Sequence, residues 1–112
     1  MIKRTFTKVG TSTLATIYTV PQGARTELKM LWISNISGSN STISITYYNA
    51  VENATISLFD GYALSSKTFF TVGGEAHEFL VMGENDYIQV RSTHSCTFLI
   101  SLIEYDNQFK NL

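Results

Sequence analysis

An all-β fold is predicted for this 112-residue chain: a single antiparallel two-sheet β-sandwich, jelly-roll-like or Ig-like, of about eight to nine strands. Three observations predict it. β-Branched and aromatic residues dominate, and no window keeps an i, i+3, i+4, i+7 apolar stripe free of competing period-two alternation. Short apolar or alternating runs recur at roughly 8–12-residue spacing, separated by residues suited to turns. The length allows one hydrophobic core and no more, so residues 1–112 are read as one domain with its core in 13–105.

The strands expected along the chain are 2–9, 14–20, 27–34, 42–48, 55–59, 62–72, 77–82, 87–92 and 96–105. Between them stand Pro21-Gln22-Gly23, residues 37–41 (Ser-Gly-Ser-Asn-Ser), Asp60-Gly61, Gly73-Gly74 and residues 83–86 (Gly-Glu-Asn-Asp). Proline pre-sets φ at one turn position, and glycine or asparagine accepts positive φ at the next. Pro21 therefore marks the corner that feeds strand 27–34, where it costs no ladder hydrogen bond. In 42–48, Ile43, Ile45 and Tyr47 share one face and Thr42, Ser44, Thr46 and Tyr48 the other, the pattern of a sheet with one wet side. The runs LKMLWIS and CTFLISLIEY carry apolar residues on both faces, which predicts central strands whose second face is covered by a loop or a neighbouring subunit. Trp32 is read as part of the core filling of its strand, so Trp32→Ala is expected to cost about 3–5 kcal/mol.

Composition excludes several function classes. Eight Lys and Arg oppose nine Asp and Glu for a net charge of −1, so there is no bulk attraction to nucleic acid or to an anionic membrane. Lys3, Arg4 and Lys8 form the one local basic cluster and are read as a solvated strand edge. No run approaches the length of a membrane span, and MIKRTFTKVG lacks the apolar core of a signal peptide, so synthesis in the cytoplasm is expected. The single cysteine, Cys96, cannot form an internal disulfide and is expected to pack as a small hydrophobe. Sequons at Asn35, Asn40 and Asn53 carry no weight in a chain so rich in Ser, Thr and Asn.

Chemistry is mostly absent. His77 and His94 fall on different elements, and His94 with Cys96 is the one close pair of zinc-type ligands, read as a turn into the last strand. There is no G-x-S-x-G elbow, P-loop or dinucleotide fingerprint. Glu75, Glu78, Glu84 and Asp86 lie in or beside turns and are read as solvated carboxylates. No catalytic residue, metal ligand or cofactor is assigned, and the chain is not expected to be an enzyme. Fourteen aromatic residues suit either a sugar-binding platform or subunit contacts. A single tryptophan, set inside the most apolar strand, favours contacts.

One resemblance is specific enough to state. A strand ending T-V-P-x-G in TLATIYTVPQG, an apolar strand ending in Asn with a Ser/Gly loop after it, a Thr/Ser-rich strand, the hairpin pattern of EFLVMGENDYIQV and a last strand CTFLISLIEY follow in order over residues 13–105. This sequence of cues resembles the small β-sandwich structural proteins of tailed bacteriophage virions. The resemblance implies a non-enzymatic virion protein, foremost a capsid decoration or cement subunit, with a neck or tail fitting as the alternative and a small carbohydrate-binding module as the reading outside that group. It also implies virion proteins as partners and a homo-oligomer, a trimer or ring. No nucleic acid, membrane or cofactor is implied. The residues expected at contacts are Ile2 and Phe6 in the N-terminal strand 1–9, Tyr48 and Phe70 among the exposed aromatics, and Phe109 and Leu112 in the tail 106–112, together with an apolar face around Trp32 and Leu99.

Overall fold

A computed structural model describes residues 1–73 and 80–106. Nine strands run through the described residues: β1 (Ile2–Val9), β2 (Ala15–Thr19), β3 (Ala24–Asn35), β4 (Ser41–Asn49), β5 (Ala54–Leu64), β6 (Phe69–Gly73), β7 (Leu80–Met82), β8 (Tyr87–Ser92) and β9 (Cys96–Asp106). They form two antiparallel sheets. Sheet A has the order β1-β9-β3-β6, with β7 also on β3, and sheet B the order β2-β8-β4-β5.

β6 and β7 pair with successive stretches of β3 and occupy one position in the sheet. Counting them as one gives facing four-stranded sheets in which the chain changes sheet at each connection except the β4–β5 hairpin, the winding of a jelly roll. Of the two sandwiches the sequence allowed, this is the first. β3 and β9 are central, as their two-sided apolar pattern predicts, and run side by side over most of their length.

The core lies between the sheets. Sheet A supplies Leu28, Leu31, Ile33, Phe98, Ile100 and Leu102, and sheet B supplies Ile43, Ile45, Tyr47, Ile88 and Val90, all buried. Ile43, Ile45 and Tyr47 are buried on the inner face as expected, whereas Ser44, expected on the wet face, is buried too, its hydroxyl accepting from Gly61 N; Cys96 is a buried free thiol. The Pro21 corner is also as expected. Ala24 N donates to Pro21 O at 3.2 Å, and Gly23 takes φ 82°.

Four further expectations are corrected. Trp32 does not fill the core: it is on the outer face of sheet A and 38% exposed. The cause is a bulge, since the β3–β9 register shifts between Leu28 and Met30. One extra residue reverses the parity of everything after it, so Leu31 and Ile33 turn inward and Trp32 outward. Asp60-Gly61 is no separator either. β5 runs through it as an irregular stretch, with Gly61 at φ 68° and its N–H donating to Ser44 Oγ at 3.0 Å. The strand expected over 62–72 breaks instead at 65–68, where Lys67 takes φ 62° and its N–H bonds Asn35 O. Finally, Asp86 is 3% exposed, not solvated. A carboxylate that receives enough hydrogen bonds can be buried beside a turn.

Candidate interaction surface

The outer face of sheet A divides by chemistry along its strands. At one end, Arg25 lies over the Tyr105 ring at 4.1 Å, and Glu27 accepts from Tyr105 Oη at 3.2 Å and pairs with Lys29 Nζ at 3.4 Å. At the other end the register places Thr7, Leu99, Trp32 and Thr71 side by side in one row, and Val9, Thr97, Ser34 and Phe69 in the next. Phe69 is 58% and Val9 56% exposed. The Trp32 and Phe69 rings stack at 4.8 Å and 9°. Val9, Leu99, Trp32 and Phe69 thus make one apolar patch on the outer face of sheet A, centred on its two central strands, without a covering segment among the described residues.

The expected contact residues divide between surface and interior. Ile2 is exposed on edge strand β1. Phe6 is half-buried, packs against the core and lies 4.9 Å from the Tyr18 ring. Tyr48 is on the outer face of sheet B, stacked on Tyr87 at 4.7 Å, and donates to Asn53 Oδ1. Phe70 points inward and closes the seam between β5 and β6 with Phe59 and Tyr62. Of the Phe69-Phe70 pair, Phe69 is the one on the outer face. Phe109 and Leu112 lie outside the described residues, as does His77. Leu99 and Trp32, expected on one apolar face, are direct cross-strand partners there. Val9 is not among the residues expected at contacts, and of the alternating neighbours Phe69 and Phe70 the expectation named Phe70. The alternation of Val9 with Lys8 at the end of β1 is the signal that could have found Val9.

A concavity opens between edge strands β1 and β2. It has a volume of about 350 Å³ and is lined by Arg4, Phe6, Ile17, Tyr18, Pro21 and Glu104, among others. Its polar atoms bind one another. Glu104 is buried, accepts from Tyr18 Oη at 2.5 Å and pairs with Arg4 Nε at 2.9 Å, while Tyr18 Oη also meets Thr26 Oγ1 at 2.7 Å. Within sheet B, Tyr47 Oη donates to Asp86 Oδ2 at 2.6 Å. These are satisfied structural ties, and neither leaves a nucleophile beside a free base. Among the described residues, no three of His, Cys, Asp and Glu gather as a metal site would require, and no helix is long and apolar enough to cross a membrane.

Both tyrosines have a measurable signature. Burial first, and then the bond to a carboxylate, pushes the Tyr18 and Tyr47 phenols above the ordinary value of 10.0. The neutral phenol is the native form, so the stability these groups contribute is whole below pH 10 and is lost as pH rises above it. Ultraviolet titration, with Tyr18→Phe and Tyr47→Phe to assign the signal, should therefore show these two phenols resisting ionisation until the protein unfolds. If Tyr18 and Tyr47 ionise near pH 10 in folded protein, the assignment fails.

No family model matches this chain, and no curated protein does. Among solved structures, it is similar to a chain from Bacillus endospore appendages, described as a novel family of disulfide-linked pili. The identity is 13%, the TM-score 0.50, and the match covers 94% of this chain and 85% of the other. At that identity the likeness shows a shared fold.

Proposed function

We propose that this chain is a non-enzymatic structural subunit that docks on a larger protein assembly through the Trp32 end of sheet A, as a decoration subunit on a tailed-phage capsid or a fitting on its neck or tail. The observation that carries the reading is the apolar patch of Val9, Leu99, Trp32 and Phe69 on the outer face of sheet A, centred on its two central strands. Large aromatics desolvated at the centre of a contact supply most of its binding energy. The charged end with Arg25, Glu27 and Lys29 supplies a polar rim. The phage context rests on the ordered sequence cues over residues 13–105.

A subunit of a fibre is the second reading, favoured by the fold shared with the appendage chain. Linkage by disulfides does not carry over. A covalent chain of subunits needs two linking cysteines in each, and the one cysteine here is buried in the core. The carbohydrate-binding reading has less support from the rings: Trp32 and Phe69 each lose one face to the other, as do Tyr48 and Tyr87, and Phe59, Tyr62 and Phe70 pack together. A stacking platform for sugars needs open ring faces.

Density-gradient fractions from the producing cells test the proposal. The chain should band with assembled particles, and Trp32→Ala should leave that band. Because Trp32 is outside the core, the same substitution should lower unfolding free energy by only about 1–2 kcal/mol in a urea titration. A chain that is absent from particle and filament fractions would sink the reading, as would a Trp32→Ala chain that bands normally.

A further inference from the structure

Four strand edges border the two sheets, and three of them are guarded. β1 carries Lys3, Arg4 and Lys8 and no acid, so two β1 edges repel one another. β2 has five residues, a register irregularity after Thr16 and Pro21 close behind it. The fourth position of sheet A is divided between β6, of five residues, and β7, of three. Lysines, prolines, bulges and short strands are the means by which sheets avoid pairing with other chains. β5 differs. It spans 11 residues and pairs only with β4 among the described residues; its ladder to β4 is regular over 54–57 and shifts register after Ser57, and its first part, ATISLF, has no charge, proline or glycine.

The sequence of that part is self-complementary. Ala54 and Ile56 pair with Asn49 and Tyr47, whose side of the sheet faces sheet A, while Thr55 and Ser57 pair with Tyr48 and Thr46 on the outer side. Leu58 packs against the core, so Ala54, Ile56 and Leu58 share the inner side. Ile56 sits on that side yet is 47% exposed, at a rim that sheet A does not cover. An antiparallel pair of two such strands centred on Ile56 sets Ile56 against Ile56, Ala54 against Leu58 and Thr55 against Ser57. Apolar residues then meet apolar ones on one face and hydroxyls meet hydroxyls on the other, with no charge in the contact.

We infer that β5 is a homodimer edge: residues 54–58 of two copies pair antiparallel about a two-fold axis at Ile56, joining two B sheets into one of eight strands. The occupant is a second copy because self-complementarity without charge is what an isologous contact requires. This contact uses the edge of sheet B, whereas the proposed docking patch is the outer face of sheet A. The two assignments therefore stand or fall separately.

Light scattering on the full chain, at concentrations on the order of 100 μM where a small contact is populated, should give twice the 12.5 kDa monomer mass. Ile56→Lys should shift dissociation to at least about tenfold higher concentration, since like charges would then face each other across the axis. Circular dichroism should show an unchanged sheet spectrum. Ile56→Cys supplies a second measurement that does not depend on how that variant folds. Opposed residues of an antiparallel pair have Cα atoms about 4.5–5.5 Å apart, within the range a disulfide spans. Mild oxidation should then link Ile56→Cys into a covalent dimer, and leave Val51→Cys, exposed in the neighbouring turn, unlinked. Trp32→Ala should remain dimeric. A wild-type chain that is monomeric throughout, a dimer that survives Ile56→Lys, or Ile56→Cys that links no faster than Val51→Cys would each overturn the inference.

Discussion

Asp86→Ala is expected to lower the free energy of unfolding by about 3–5 kcal/mol, among the largest losses of any single substitution in this chain. The carboxylate accepts from Tyr47 Oη at 2.6 Å, from Gly83 N at 2.9 Å and from Ala50 N at 2.8 Å. These donors belong to three segments: strand β4, the turn before β8 and the turn between β4 and β5. Alanine would leave all three without their acceptor, and an unsatisfied buried donor costs about 1–3 kcal/mol. Asp86→Asn is the informative companion. It keeps the shape and one acceptor oxygen but sets an amide donor against a backbone N–H or the Tyr47 hydroxyl, so it should recover only part of the loss. Urea titration decides the matter, with Tyr47→Phe as the partner in a double-mutant cycle. If Asp86→Ala and Tyr47→Phe add without coupling, the carboxylate does not tie β4 to the β8 turn.

Asp86 also shows where sequence reading reaches its limit. Sequence places it in a Gly-Glu-Asn-Asp turn, and that much is right: Asp86 N bonds Gly83 O, and Asn85 takes φ 70°. Composition cannot tell that this turn is pressed against the β4–β5 connection, because that contact joins residues 36 apart. Asn35 repeats the lesson. It ends its apolar strand as expected, yet it is fully buried, donating to Ser39 O and Leu64 O and accepting from Ser37, which also removes its sequon from use. Strand existence and alternation are local properties and were legible, β1 to the residue. Parity across a bulge is not local. Counting by twos from Thr26 and Leu28 brings Trp32 inward, and the extra residue at Lys29 sends it out. With apolar residues on both faces of the strand, the pattern held no signal for that reversal. Turn chemistry misled in the same way at β5, where Gly61 serves a bulge and the true turn at 65–68 contains neither glycine nor proline. The apolar patch follows from these register facts, so only its Trp32–Leu99 centre could be anticipated.

Gly10→Ala is expected to cost about 3 kcal/mol through overpacking. Gly10 follows β1, where the chain crosses toward β2, and its backbone is held on both sides: Gly10 N donates to Cys96 O at 2.8 Å, and Thr11 O accepts from Ser92 N at 2.9 Å. A Cβ built at Gly10 would fall 2.4 Å from Ser92 Oγ and 2.6 Å from Phe98 Cε1. Neither neighbour is the loose end of a flexible side chain. Phe98 is 1% exposed in the middle of sheet A, and Ser92 is almost as deeply buried, its hydroxyl without a hydrogen-bond partner among the described residues. The strain must therefore pass to the backbone, either separating β1 from β9 or shifting the Phe98 ring into the core. A steric origin can be isolated with Ser92→Gly, which removes the nearest atom and the Ser92 Cβ at 3.2 Å. In that background Gly10→Ala should cost at least about 1 kcal/mol less than in the wild type, a coupling of the size expected for residues in contact. Equal costs in the two backgrounds would mean that the close approach at Gly10 does not hold this crossing, and that β1, with Val9 and its share of the apolar patch, is fixed by its ladder to β9 alone.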